Sequence, residues 1–264
     1  MKVVAIYRAE IFSPNSVDRD RAILDAVCSN VGECLKVREE DIRLHRDEIR
    51  QADVVLSMAR GKEALKILSD DNLHAKVVNN ATAIFHCSRS AIDSAMRENK
   101  LPAAPLSNSG GGYWVKRGDE AAQQKEDVVY ARNDSERDAA VARFMERGIS
   151  DVVVTAHVAG DLVKFYGVVG TDFFHVTYPT EGNFSKFGDE RINGKPSHTP
   201  FSVEALHRDA TRLATIMGIV VYGGDCIVRE NGTYAIIDFN DWPSFSTCRV
   251  EAAKAIAKII SERK

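Results

Sequence analysis

The stretch from Val221 to Asn240 constrains the fold more than any other part of the chain. It reads Val221-Tyr222-Gly223-Gly224-Asp225-Cys226-Ile227-Val228, then Asn231-Gly232, then Tyr234-Ala235-Ile236-Ile237-Asp238-Phe239-Asn240. Two apolar runs around an Asn-Gly pair predict an antiparallel hairpin. Asp225 interrupts the first run; Asp238 and Asn240 interrupt the second. Side chains at i and i+2 of a strand share a face, so Asp238 and Asn240 project together. Asp225 lies 13 positions before Asp238, and folding the hairpin back brings it beside them. A single acid near a turn ordinarily caps or hydrogen-bonds locally. Two carboxylates and an amide oxygen on one face instead form a hard-oxygen cluster suited to Mg²⁺, which shares its remaining positions with phosphates and water.

Composition narrows the class. A chain of 264 residues with 44% apolar and 28% charged content has room for a large core and reads as a soluble globular protein. A net charge of −3, with Lys and Arg spread along the chain, gives no reason to expect nucleic acid as a partner. The five cysteines, Cys28, Cys34, Cys87, Cys226 and Cys248, contain no CxxC pair and suggest a reducing compartment rather than a disulfide framework or zinc site. The N-terminal apolar run ends at Arg8, too short for a signal peptide, and no run reaches transmembrane length. The expectation is a cytoplasmic protein with no membrane partner.

The first ~90 residues alternate strand and helix patterns. Strands are expected at Lys2–Tyr7, Glu33–Arg38, Ala52–Met58 and Lys76–Asn79, with helices at Asp18–Ser29 and Gly61–Leu68. This order predicts a doubly wound parallel sheet. The absence of GxGxxG after the first strand argues against a dinucleotide site. A helix over 88–98 is followed by Leu101-Pro102-Ala103-Ala104-Pro105, which breaks the pattern. Further strands are expected at 113–116, 127–130, 151–157, 162–169 and 172–178, with a helix at 134–147 capped by Asp134. The polar segment 179–200 is long enough to be a lid. Helices at 201–217 and 247–264 flank the hairpin, the second with Ser246 as its cap.

The hairpin, with Asp225 on one strand and Asp238-Phe239-Asn240 on the next, resembles the metal-binding end of the ATP-grasp superfamily, which includes glutathione synthetase and ribosomal-protein modification enzymes. That resemblance extends along the chain. It implies an N-terminal doubly wound α/β substrate domain, residues 1–88, followed by an α+β ATP-grasp domain, residues 89–264. The latter would divide into a small lobe at about 89–156 and a large lobe at about 157–264. It implies ATP and Mg²⁺ as cofactors, with Mn²⁺ as a substitute, and Asp225, Asp238 and Asn240 as the metal ligands. Ligases of the superfamily more often have Glu where Asp238 stands; inositol-phosphate kinases of the same superfamily have Asp.

The resemblance also assigns roles outside the hairpin. Lys116, at the end of the strand Tyr113-Trp114-Val115-Lys116, matches a lysine that reaches the nucleotide phosphates, although read alone it is a lysine leaving a sheet for solvent. Lys164 stands where relatives place a cation facing the transferred phosphoryl group, and Arg89 where they place an earlier phosphate-contacting lysine. Thr155, Ala156, His157 and Val158, with Asp161, occupy the hinge that holds adenine and ribose; the hinge Glu or Gln common in the family is missing. A lone histidine such as His157 is more often structural. The flap after Lys116 is short, with Gly118 alone, and Gly110-Gly111-Gly112 precede the strand as either a phosphate nest or a plain hinge. Ser244 and Ser246 stand where backbone N–H groups would meet an acceptor.

The leading expectation is therefore a carboxylate–amine (or carboxylate–thiol) ligase acting through an acyl phosphate on small-molecule or peptide substrates, with a homodimer allowed. A small-molecule kinase and a non-catalytic nucleotide-binding protein are the alternatives. A ligase of this type needs no nucleophile of its own, in keeping with the lack of any Ser-His-Asp or Cys-His signature.

Overall fold

The computed structural model describes residues 1–13, 16–107, 110–120, 122, 124–179 and 192–262. Val3–Tyr7 (β1) is an apolar run, mostly β-branched, buried on both faces, as a central parallel strand requires. Val17–Val31 (α1) follows and buries Ile23, Leu24, Val27 and Cys28 along one stripe. Cys34–Arg38 (β2) pairs parallel to one side of β1. After a 3₁₀ segment and the short helix Arg46–Arg50 (α2), Val54–Ser57 (β3) pairs parallel to the other side. Lys62–Leu68 (α3) leads to Lys76–Val78 (β4), giving the parallel order β2-β1-β3-β4. Because β1 and β3 are neighbours with connections leaving in opposite directions, the crevice at their carboxyl ends is a topological switch point, where open α/β sheets bind ligands.

Residues 79–88 contain the helix Ala81–His86 (α4), capped by the Asn80 side chain. Arg89–Glu98 (α5) starts at a Ser88 cap. Tyr113–Arg117 (β5), Val128–Ala131 (β6) and Val152–Ala156 (β7) form an antiparallel sheet in the order β6-β5-β7. Asp134–Glu146 (α6) packs Ala140 and Phe144 against Val115 of that sheet. The cap of α6 is Asn133, which accepts from the Glu136 N–H at 2.9 Å, and not the expected Asp134. Asp134 instead accepts from the Tyr113 hydroxyl at 2.6 Å.

The third sheet is antiparallel. It comprises Asp161–Val168 (β8), Phe174–Thr177 (β9), Val221–Val228 (β10) and Tyr234–Asp241 (β11), in the order β11-β10-β8-β9. Val203–Ile216 (α7) lays Leu206, Ala210, Leu213 and Ala214 on its inner face, and Arg249–Ser261 (α8) closes the chain. α8 begins at Cys248 without a side-chain cap, so Ser246 does not cap it. Ile256 and Ile259 of α8 share one apolar core with Ile23 and Leu24 of α1, tying the C-terminal helix to the N-terminal layer. No helix of the described residues is long and apolar enough to cross a membrane. Contrary to the reading of five reduced cysteines, Cys28 at the end of α1 and Cys34 at the start of β2 are joined as a disulfide with their Cα atoms 5.6 Å apart. Cys87, Cys226 and Cys248 are free.

One residue clasps the parallel sheet to the third sheet. Asn79 is fully buried; its Oδ1 accepts from the Val220 and Val221 N–H groups, each at 2.8 Å, and its Nδ2 donates to the Val221 carbonyl at 2.8 Å. Truncation leaves buried backbone groups without partners, which costs more than the bonds contribute net. Asn79→Ala is expected to destabilise the protein by about 2–4 kcal/mol. At this chain length that is a fall in melting temperature of roughly 5–15 °C. A fall of under ~2 °C in a thermal melt would show that the clasp is not structural.

Candidate active site

The hairpin builds the site through an irregularity. Near the turn, Val228 pairs with Tyr234 and Cys226 with Ile236; beyond a register shift, Asp225 pairs with Asp238 and Gly223 with Asn240. Ile237 is thus the extra residue of a β-bulge. A one-residue shift exchanges the faces of a strand. Without the bulge, Asp238 would lie opposite Gly224 and face away from Asp225. Gly224 is needed at this crossing, because a Cβ there would meet the Asp238 carbonyl at 2.3 Å. The connection is longer than an Asn-Gly turn: the Gly232 N–H donates to the Arg229 carbonyl at 2.9 Å, and Asn231 Oδ1 accepts from the Thr233 N–H at 3.0 Å.

The bulged carbonyl of Ile237 accepts from Lys116 Nζ at 2.8 Å, joining the end of β5 to the hairpin. Lys164 of β8, which pairs with Asp225 across the ladder, places Nζ 3.0 and 3.2 Å from the Asp225 carboxylate oxygens. Arg89, at the start of α5, lies 3.6 Å from Asp238 and donates through Nη1 to the Arg117 carbonyl at 2.7 Å, while its buried Nε makes no hydrogen bond with any described residue. Asn240 Nδ2 donates to Asp238 Oδ2 at 3.2 Å. Burial pushes the Asp238 carboxyl up, but Arg89, Lys116, Asn240 and Lys164 together outweigh it and hold the group below its ordinary value. Burial pulls the Lys116 ammonium down, against the opposing charge of Asp238. The arrangement sets three cations, Lys116, Lys164 and Arg89, against two carboxylates, Asp225 and Asp238.

These groups line a cavity of about 350 Å³. At one end the wall is apolar, with Val128, Ala156, Val158, Leu162, Ile227 and Ile237, and Thr155 beside them. At the other end Arg8, Arg60, Asp20, Asp241 and Ser244 line it. The cavity therefore unites Lys116, Arg89, Thr155, Ala156, Val158, Lys164, Asp225, Asp238 and Asn240. His157 and Asp161 lie outside its wall. His157 Nδ1 accepts from Trp114 Nε1 at 3.2 Å, and Asp161 accepts from the Ser197 and Thr199 N–H groups at 2.6 and 2.8 Å. Gly110 to Gly112 also lie outside the wall; Gly112 packs on Tyr130 and Ala131. The N–H groups of Ala156 and His157 are taken by the Pro105 and Gly112 carbonyls at 2.7 and 2.9 Å, so neither is available to a base. Most of the expected lid, 180–191, lies outside the described residues, although Asn193 at its end reaches the cavity.

The sequence reading missed the far end. Arg8 follows β1, Arg60 follows β3 and Asp241 ends β11, so nothing local connects them. The only local signal was a charged residue just beyond each of two parallel strands at a switch point. The Cys87 thiol nearby is pushed up to about 12 by burial, the Asp241 charge adding to it, and is not a nucleophile at neutral pH.

A Mg²⁺ ion fits the donor set. Among the described residues no three Asp, Glu, His or Cys side chains converge. Two carboxylates and an amide oxygen would hold the ion, with the ligand's phosphates completing its shell, as Mg²⁺ favours.

No family model and no curated protein matches the chain. Solved structures do. The D-alanine–D-alanine ligase of Bacillus anthracis, in complex with ATP, superposes with a TM-score of 0.65 at 12% identity, covering 99% of this chain and 96% of that one. A D-cycloserine synthetase gives 0.64 at 13% identity, over 98% and 99% of the two chains. The biotin carboxylase domain of Hydrogenobacter thermophilus 2-oxoglutarate carboxylase, in complex with MgADP and bicarbonate, gives 0.63 at 13% identity, over 100% and 70%. The chain has the ATP-grasp fold.

Proposed function

We propose that the protein is an ATP- and Mg²⁺-dependent ligase that joins a carboxylate to an amine through an acyl phosphate. The observation that carries this reading is the convergence of Asp225, Asp238 and Asn240 with Lys116, Lys164 and Arg89 in one cavity of an ATP-grasp fold. The fold is shared with a ligase solved with ATP, with a synthetase, and with a biotin carboxylase domain solved with MgADP and bicarbonate. In this reading residues 89–156 and 157–264 are the two lobes around the nucleotide, and residues 1–88 carry the acceptor.

The base would lie in the apolar end, against Val158, Leu162 and Ile227, with its edge on carbonyl groups of the 155–158 segment. Lys116, Arg89 and Lys164 would leave their present carboxylate and carbonyl partners for phosphate oxygens. Asp225, Asp238 and Asn240 would then be freed for the ion. Mg²⁺ held by these three residues would supply neutralisation of phosphate charge. Lys164, across from Asp225, would offset charge on the transferred group, while the cavity walls hold donor and acceptor in line and limit water.

The test is release of ADP and phosphate with Mg·ATP and paired carboxylate and amine substrates. A ligase releases one phosphate per ADP and needs both substrates. Phosphate kept on a single product would make the protein a kinase. Nucleotide-induced stabilisation with no ADP release from any pair would leave a binding protein and overturn the ligase reading.

A further inference from the structure

The acceptor end of the cavity carries cation–carboxylate pairs of its own, Arg8–Asp20 and Arg60–Asp241, separate from those at Asp225 and Asp238. Arg8 leaves β1 and Arg60 leaves the β3 turn, so both flank the switch point of the parallel sheet. A single buried carboxylate, Glu39, holds both loops, accepting from the Ala9 N–H at 2.8 Å, the Arg60 N–H at 2.9 Å and the Gly61 N–H. The two guanidiniums are used differently. Arg8 donates through Nε to the Met58 carbonyl, through Nη1 to Asp20 and through Nη2 to the Trp242 carbonyl, and its side chain is 9% exposed. Arg60 pairs through Nη2 with Asp241 Oδ1, and its side chain is 21% exposed in the cavity wall. Asp241 itself is 3% exposed, and its Oδ2 makes no hydrogen bond with any described residue. Arg8 Nη2 lies 3.9 Å from that oxygen, beyond hydrogen-bond distance.

A buried carboxylate oxygen without a hydrogen bond is costly and fits a donor brought by a ligand. A guanidinium carries five N–H donors in a planar fork suited to a carboxylate. Here the acceptor oxygen and the fork belong to groups already in contact, so their ligand partners must lie within a few bonds of each other. An α-amino acid places its amine and carboxylate on one carbon and meets that spacing. A simple amine would leave Arg60 unused, and a simple acid would leave Asp241 Oδ2 unbonded.

Resting on the ligase reading above, we propose that Arg60 and Asp241 form the seat of a free α-amino acid substrate. Its carboxylate pairs with Arg60 and its amine donates to Asp241 Oδ2. Arg8 positions Asp241 and does not touch the substrate.

The test is ADP release with Mg·ATP and each standard amino acid in both enantiomers. The matched decarboxylated amines and des-amino acids run in parallel, with a further carboxylate supplied. Thermal shift is measured for the same compounds, with and without Mg²⁺ and a non-hydrolysable ATP analogue. At least one free amino acid should stabilise the protein and drive ADP release, with neither matched compound replacing it. Arg60→Gln should raise the KM for that amino acid by about 30–100-fold and leave the KM for ATP within about 2-fold. Arg60→Lys should recover part of the loss. Equal service by the amine or the des-amino acid, an unchanged amino-acid KM in Arg60→Gln, or no stabilisation by any amino acid under either condition overturns the seat. Nucleotide binding is read separately, so its absence strikes the ATP reading and an absent amino-acid response strikes only this one.

Discussion

Asp238→Asn is expected to lower Mg²⁺-dependent ATP turnover by about 10²–10³-fold while the protein stays folded. The substitution keeps the size of the side chain and a polar contact to Asn240, and it removes only the charge. Arg89, Lys116 and Lys164 all face Asp238, and together they keep the carboxyl ionised despite burial. A carboxylate so heavily matched is a structural ion pair or a metal ligand awaiting exchange, and the two differ in what the substitution does. A structural pair would lose stability and keep its Mg²⁺ dependence. A ligand would need at least about 10-fold more Mg²⁺ for half-maximal turnover, with a modest change in melting temperature. Turnover and Mg²⁺ titration alongside a thermal melt separate them. Wild-type turnover in folded Asp238→Asn protein would remove Asp238 from the metal set.

How much of this site could be read from the sequence depends on whether its geometry is local. The βα alternation of the first layer was legible because Val3–Tyr7 and Val54–Ser57 are short apolar runs between helical stripes, and burial enforces both periods. The pairing of Asp225 with Asp238 was also legible, although for a different reason than an Asn-Gly turn. The longer connection at 229–233 shifts the register by one, and the bulge at Ile237 shifts it back. A bulge has no composition signature in an apolar run, so the sequence could not reveal that Ile237 offers its carbonyl to Lys116. The cap of α6 missed by one residue because Asn133 and Asp134 are both competent caps. A tertiary contact, Tyr113 to Asp134, accompanies the choice. The Cys28–Cys34 bond arises from the distance between a helix end and a strand start, which spacing alone does not fix. The acceptor end was hidden for the same reason on a larger scale: Arg60 and Asp241 are 181 positions apart and meet only when the parallel sheet docks on the hairpin.

Lys116→Met should weaken binding of ATP by about 10–100-fold and binding of adenosine by less than about 3-fold. The ammonium lines the cavity with Asp225 and Asp238 and donates to the Ile237 carbonyl, so its loss removes a phosphate partner without removing the Val158, Leu162 and Ile227 side chains that would hold the base. Met keeps the length and apolar stem of the side chain, which limits repacking of β5. Two costs fall on the protein itself. The Ile237 carbonyl loses its 2.8 Å donor, and Asp238 loses one of the cations that offset its burial. Arg89 and Lys164 still face Asp238, so the carboxylate remains matched, and the carbonyl borders a cavity that water can enter. The fold should therefore survive with a small drop in melting temperature. Titrating ATP, ADP, AMP and adenosine against the variant reads out where the charge acts. A lysine directed at the β-phosphate gives losses that are large for ATP and ADP and small for AMP and adenosine. Equal losses across all four ligands would mean that Lys116 serves the hairpin through Ile237 and not the nucleotide.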